Sequence, residues 1–159
     1  MATVSGFKAQ VLVRGAESRI TPPPNGAVAS VDGDLSRQWP AGSGSGTVNT
    51  VYDVVGSATS SPTVIDLSAL PSMTGGSARN VIRLMFLVIE NTGSTNVLTV
   101  GGGTTPVFAN ARTIQPGGVE TIAFAASGAD GLNVSTNKLL SIESASGTTY
   151  RIRIAGRTA

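Results

Sequence analysis

The chain has 159 residues, of which 13% are charged and 4% aromatic, and it contains neither cysteine nor histidine. Charged positions usually make up about a quarter of a globular chain, so hydroxyls and amides must coat this surface instead. The missing residue types exclude disulfides, thiol nucleophiles, imidazole acid–base chemistry and the usual zinc and iron sites, and a formal charge of +2 is too slight to imply a nucleic-acid or anionic-membrane partner.

Lys8 and Arg14 interrupt any early secretory h-region, and the longest apolar run, residues 84–89, is far shorter than the roughly 20 residues of a membrane helix. We therefore expect a soluble, non-enzymatic product, synthesised in a cytoplasm and working without cofactor, metal, nucleic acid or membrane.

Residues 1–46 differ from the rest. One short β-like run at 10–14 is followed by Pro22-Pro23-Pro24-Asn25-Gly26, by Asp32-Gly33-Asp34 and by a Gly-Ser alternation ending at Gly46. Triple proline imposes an extended segment, the glycine clusters permit turns, and alternating Gly and Ser are entropically costly to order. The expectation is an extended N-terminal arm over 1–46 with neither helix nor long strand. Trp39, close to Arg37 and Pro40 in a segment with no core of its own, is expected to dock on the body or on a neighbouring chain.

From 47 to 159 the text is a series of β-branched runs separated by Gly, Asn, Ser and Pro, which predicts strands. The first run is 47–55 and the second 63–67. In 80–90, strict alternation puts Ile82, Leu84, Phe86 and Val88 on one face and Val81, Met85, Leu87 and Ile89 on the other. Both faces must then be covered, one by a second sheet and the other by an arm, loop or neighbouring subunit.

Thr92-Gly93-Ser94 predicts a turn after which 97–100 returns antiparallel beside the preceding strand. An edge piece at 106–108, a strand at 112–114, the compact turn Pro116-Gly117-Gly118 and a strand at 119–125 follow. Short runs at 132–134 and 138–142 precede a final hairpin turning at Ser146-Gly147. Its last strand sends Tyr150, Ile152 and Ile154 to one face and Arg151 and Arg153 to the other. No segment has helical spacing and no repeat is visible, so the fold class is all-β: an antiparallel, jelly-roll-like β-sandwich over 47–159 with the N-terminal arm attached.

Few residues suggest chemistry. Gly101-Gly102-Gly103 precedes no helix, which a phosphate-binding loop requires. Asp32-Gly33-Asp34 lacks the further oxygens of a calcium loop. Asp53 and Asp66 are the carboxylates to consider as a glycosidase pair, but neither has a nearby aromatic platform. Sugar-binding modules present several aromatic faces, whereas this chain offers Trp39, Tyr52 and Tyr150 as its only Trp and Tyr. Asn133-Val134-Ser135 matches a glycosylation sequon that has meaning only in a secreted chain. Arg151, Arg153 and Arg157 form a basic trio whose commoner role on a strand is solubility and edge protection.

The strand 81–90 leading through Asn91 to Val97-Leu98-Thr99-Val100-Gly101-Gly102, the turn Ile114-Gln115-Pro116-Gly117-Gly118-Val119 and the closing Tyr150-Arg151-Ile152-Arg153-Ile154-Ala155-Gly156 resemble the small β-structured virion proteins of tailed bacteriophages. The resemblance spans the body and not the arm. It implies a capsid decoration, or cement, protein on the capsid surface of a virion: a homo-oligomer, often a trimer, that clamps adjacent subunits of the major capsid protein.

The residues expected at such interfaces are Val11, Val13, Arg14, Arg19, Arg37 and Trp39 in the arm, Val81, Met85, Leu87 and Ile89 on the second apolar face, and Arg151 and Arg153 on the last strand. The alternative expectation is a phage fibre-tip or head-fibre adhesin that binds a host receptor or glycan through loops 101–109 and 127–131.

Overall fold

The computed structural model describes residues 7–17, 29–39, 47–72, 77–123 and 131–158. In chain order the strands are β1 (Phe7–Glu17), β2 (Ala29–Trp39), β3 (Thr50–Ala58), β4 (Thr63–Asp66), β5 (Val81–Asn91), β6 (Leu98–Val100), β7 (Arg112–Ile114), β8 (Val119–Ala123), β9 (Leu132–Asn133), β10 (Leu139–Glu143) and β11 (Thr148–Thr158). A single 3-10 turn, Leu67–Ala69, is the one helical element among the described residues. Asp66 caps it, its carboxylate accepting from the Ser68 backbone N–H.

Among the described residues three antiparallel sheets result. One runs β3-β11-β5-β8, with β9 also paired to β5. A second runs β4-β10-β6-β7, and β1 and β2 form a ribbon of their own. The chain is the expected all-β sandwich, because the first two sheets share one core. Leu84, Leu87, Ile89, Ile152 and Ile154 from the larger sheet pack with Leu98, Val100, Leu140 and Ile142 from the smaller. Burying a large aliphatic side chain contributes about 1.5–3 kcal/mol, and this interlayer is where most of it accrues.

Strict alternation fails in β5. Its pairing with β11 is in step from Asn91 to Phe86, then shifts between Ala155 and Gly156 and again between Arg157 and Thr158. Each β-bulge adds a residue and turns the following side chains to the other face. Val81, Leu84, Leu87 and Ile89 therefore all join the interlayer core, while Met85 and Phe86 enter a second, smaller cluster with Val48 and Ala155. Glycine is required at the first bulge. A Cβ on Gly156 would lie 2.7 Å from both the Arg83 carbonyl oxygen and the Val81 Cγ1, inside van der Waals contact with each.

Two expected hairpins are absent. β6 pairs with β10 and β7 rather than with β5, and β10 pairs with β4 and β6 rather than with β11. The turn segments carry the chain from one sheet to the other, and Asn91 and Asn96 fix them. Asn91 is fully buried. Its Nδ2 donates to the carbonyls of Asn96 (2.8 Å) and Ile114 (3.0 Å), and its Oδ1 accepts from Gly93 N–H (3.2 Å) and Thr148 Oγ1 (2.8 Å). Asn96 Nδ2 in turn donates to the carbonyls of Ser146 and Gly147. One saturated amide thus ties the end of β5 to the starts of β6 and β11 and to the end of β7.

The expectation for the N-terminal region is corrected as well. It contains two 11-residue strands in continuous antiparallel register, from Phe7↔Trp39 to Glu17↔Ala29, and Asp32-Gly33-Asp34 lies inside β2 rather than in a turn. Apolar residues at alternate positions along both segments outweigh the glycine, which weakens a strand without forbidding it. The triple proline and the Gly-Ser alternation fall outside the described residues. The run expected at 106–108 is reduced to an isolated parallel bridge, Pro106↔Leu139.

Candidate functional site

The larger sheet has one face in the core, so its opposite face is available for contact. The registers lay that face out in rows. Val55, Arg151, Glu90 and Val119 form the first, Asp53, Arg153, Val88 and Thr121 the second, and Val51, Ala155, Phe86 and Ala123 the third. The middle of the third row is closed over, with Ala155 and Phe86 buried and Val51 at its end exposed, and the ends of the first row are more open still: Val55 is 66% and Val119 57% exposed.

Charge gathers on the first two rows. The Asp53 carboxylate accepts from Arg151 Nε at 2.9 Å and from Arg151 Nη2 at 2.6 Å, a two-pronged pair, and Arg153 Nε lies 3.6 Å from its Oδ2. The Arg151 hydrogen bonds hold Asp53 below the ordinary carboxylate range against a smaller effect of burial, and the same bonds raise the Arg151 guanidinium. A carboxyl depressed in the folded state contributes stability that is fully present above its unfolded value of about 4 and is lost as pH falls through the folded value. Asp53→Asn is therefore expected to lose less stability than the parent chain between about pH 4 and pH 2, as urea melts at stepped pH would show. Equal losses in the two proteins would mean the pair contributes nothing.

The structure sorts the residues expected at interfaces into four groups. Arg151 and Arg153 stand on the outer sheet face, paired with Asp53. Val81, Leu87 and Ile89 belong to the interlayer core, and Met85 to the smaller cluster; all four are buried within this chain. They are corrected from interface to core residues, because a side chain already enclosed has no surface left for a partner. Val11, Val13, Arg14, Arg37 and Trp39 lie on the ribbon. Arg19 lies outside the described residues.

The ribbon register segregates residue types. Phe7, Ala9, Val11, Val13, Gly15 and Glu17 share a face with their partners Trp39, Arg37, Leu35, Gly33, Val31 and Ala29. The other face holds positions such as Lys8, Gln10, Arg14, Asp32, Asp34 and Gln38, with Leu12 its one large apolar member. A two-stranded ribbon with one apolar face is marginal in water unless that face is covered.

A hollow of about 370 Å³ opens beside the loop after β6, lined by Val107, Phe108, Ala109, Asn110, Arg112, Ile122 and Leu132. The Arg112 guanidinium stacks 4.5 Å above the Phe108 ring and pairs with Glu120. Nothing in the sequence order signals this meeting, since the three residues come from a loop and two different sheets. Gly101, Gly102 and Gly103 shape the loop, all with positive φ. Gly101 could not carry a Cβ without crowding Phe108. Of the two loops expected to serve an adhesin, 101–109 borders this hollow, and 127–130 lies outside the described residues.

The two carboxylates considered for catalysis serve other ends. Asp53 is bound to arginines on the larger sheet, and Asp66 caps a turn at the edge of the smaller one beside Lys138. Burial alone would raise Asp66, but the Ser68 hydrogen bonds and the Lys138 charge leave it lowered, the opposite of what a general acid needs. Among the described residues no cluster of acidic side chains could hold a metal ion, and no helix is long and apolar enough to cross a membrane. Comparison of the chain with family models, with curated proteins and with solved structures gave no match.

Proposed function

We propose that this chain is a non-enzymatic structural protein of a virion, a capsid decoration protein that binds and stabilises the major capsid shell through oligomeric contacts of its sandwich and its N-terminal ribbon. The observation that carries the reading is the ribbon: two strands of 11 residues each, in unbroken register, with their apolar positions on one side. Such an element gains stability only by burying that side against a partner. The body needs no such help, because its own core is enclosed. A self-sufficient domain joined to a ribbon that lacks a core of its own suits multivalent attachment, where many modest contacts repeated by symmetry give firm binding.

Removing residues 1–46 is expected to leave a body that unfolds cooperatively but no longer cosediments with capsids, whereas the full chain does. Full retention of the truncated protein on particles would take the ribbon out of the mechanism. The hollow bordered by loop 101–109 favours a second reading, an adhesin that binds a host receptor or glycan there. Copy number separates the two, since a decoration protein covers the shell and an adhesin is scarce.

A further inference from the structure

Two gradients run the same way along the apolar face of the β1-β2 ribbon. Bulk falls from the Phe7/Trp39 level at one end, through Val11/Leu35 and Val13/Gly33 at the centre, to Gly15/Val31 and Glu17/Ala29 at the other. Charge changes sign over the same length, with Arg37 near the bulky end and Glu17 at the slender end. A surface with both gradients is complementary to its own inverted copy.

We propose that the ribbon is a self-complementary interface at which two copies of this chain pack apolar face to apolar face, with their ribbons running in opposite directions about a two-fold axis. This deepens the decoration reading and rests on it for its setting: the partner that covers the apolar side is a second copy rather than the shell, a two-fold pair in place of the trimer the resemblance implies, and the paired chains then meet the shell through two bodies at once. Inversion about the ribbon's centre brings the Phe7/Trp39 level of one copy onto the Glu17/Ala29 level of the other, and the Val11/Leu35 level onto Val13/Gly33. Large positions thus meet small ones, which is how facing layers interdigitate. Arg37 then lies one same-face step, about 7 Å along the ribbon, from the other copy's Glu17, a diagonal that long side chains span.

The parallel arrangement fails on both counts. It sets bulky ends on bulky ends, Arg37 against Arg37 and Glu17 against Glu17, and like charges drawn together without partners disfavour association. The opposite face, with its charges and amides, has no comparable apolar surface to bury.

The full chain tests this in sedimentation equilibrium. A dimer is expected, and Glu17→Arg or Arg37→Glu alone should weaken it about tenfold or more. Mixing the two variants should restore pairing that neither shows by itself, because each then meets an opposite charge at both crossings. That rescue cannot arise from misfolding. A parent chain that stays monomeric up to about 100 μM, a trimer, or charge variants that pair as well as the parent would each overturn the proposal. Capsid cosedimentation of the same proteins keeps the two claims apart: a dimer that ignores capsids refutes the virion reading alone, and a monomer that binds them refutes the two-fold interface alone.

Discussion

Replacing Asn91 with alanine is expected to lower the stability of the body by about 3–5 kcal/mol, measured by chemical denaturation. The amide is fully buried, and all four of its hydrogen-bonding positions are used. Truncation leaves the Asn96 and Ile114 carbonyls, the Gly93 N–H and the Thr148 hydroxyl in search of partners, and each unsatisfied buried group costs about 1–3 kcal/mol unless water enters. Asn91→Asp should be worse, although it is nearly isosteric. Its carboxylate cannot donate to the two carbonyls and would face their negative ends with a buried charge. If both variants melted like the parent chain, the crossing loops would be held by something other than this side chain.

Leu84→Ala and Leu87→Ala are each expected to cost about 2–5 kcal/mol, and Val88→Ala about 1 kcal/mol. The contrast tests the bulges. Under strict alternation Leu84 and Leu87 would belong to opposite faces, whereas the shifted register places both in one core. Because they share that core, their effects should also fail to add when combined. Val88 lies half-buried on the other side, beside Arg153 and Thr121. A loss at Val88 as large as that at Leu87 would contradict the register.

Strand content is legible because β-branched runs and turn residues mark it directly. Even the faces of β11 follow from alternation, with Tyr150, Ile152 and Ile154 inward and Arg151 and Arg153 outward. What alternation cannot reveal is an added residue. The bulges opposite Gly156 and Thr158 depend on how β11 meets β5, and no local pattern in residues 81–91 announces them. Partner choice is hidden for a similar reason. Thr92-Gly93-Ser94 reads as a hairpin turn by composition, but the amide of Asn91 reaches carbonyls in two other segments and sends the chain across to the other sheet.

The ribbon escapes a reading that weighs glycine and proline more heavily than periodicity. Its pattern becomes visible once the two segments are aligned against each other, which a single pass along the chain does not do. The outer-face charge pair is partly legible: Arg151 and Arg153 stand out on their strand, but Asp53 as their partner requires the register between β3 and β11. The stack of Arg112 on Phe108 lies beyond any sequence pattern, because it is made by the folding of a glycine loop over a neighbouring sheet.

The crossings between sheets also govern the order in which the body can assemble. β11 lies between β3 and β5 in the larger sheet, yet Arg151 and its partner Asp53 are 98 positions apart. No nearby pair of strands can nucleate that sheet alone, and closing so long a loop before its contacts form slows the search for the native state. On the ribosome, β3 must wait unpaired, and β5 with only β8 and β9 on its other edge, until the strand that joins them has emerged, leaving one edge of the most apolar stretch of the chain open to aggregation or chaperone capture throughout the delay.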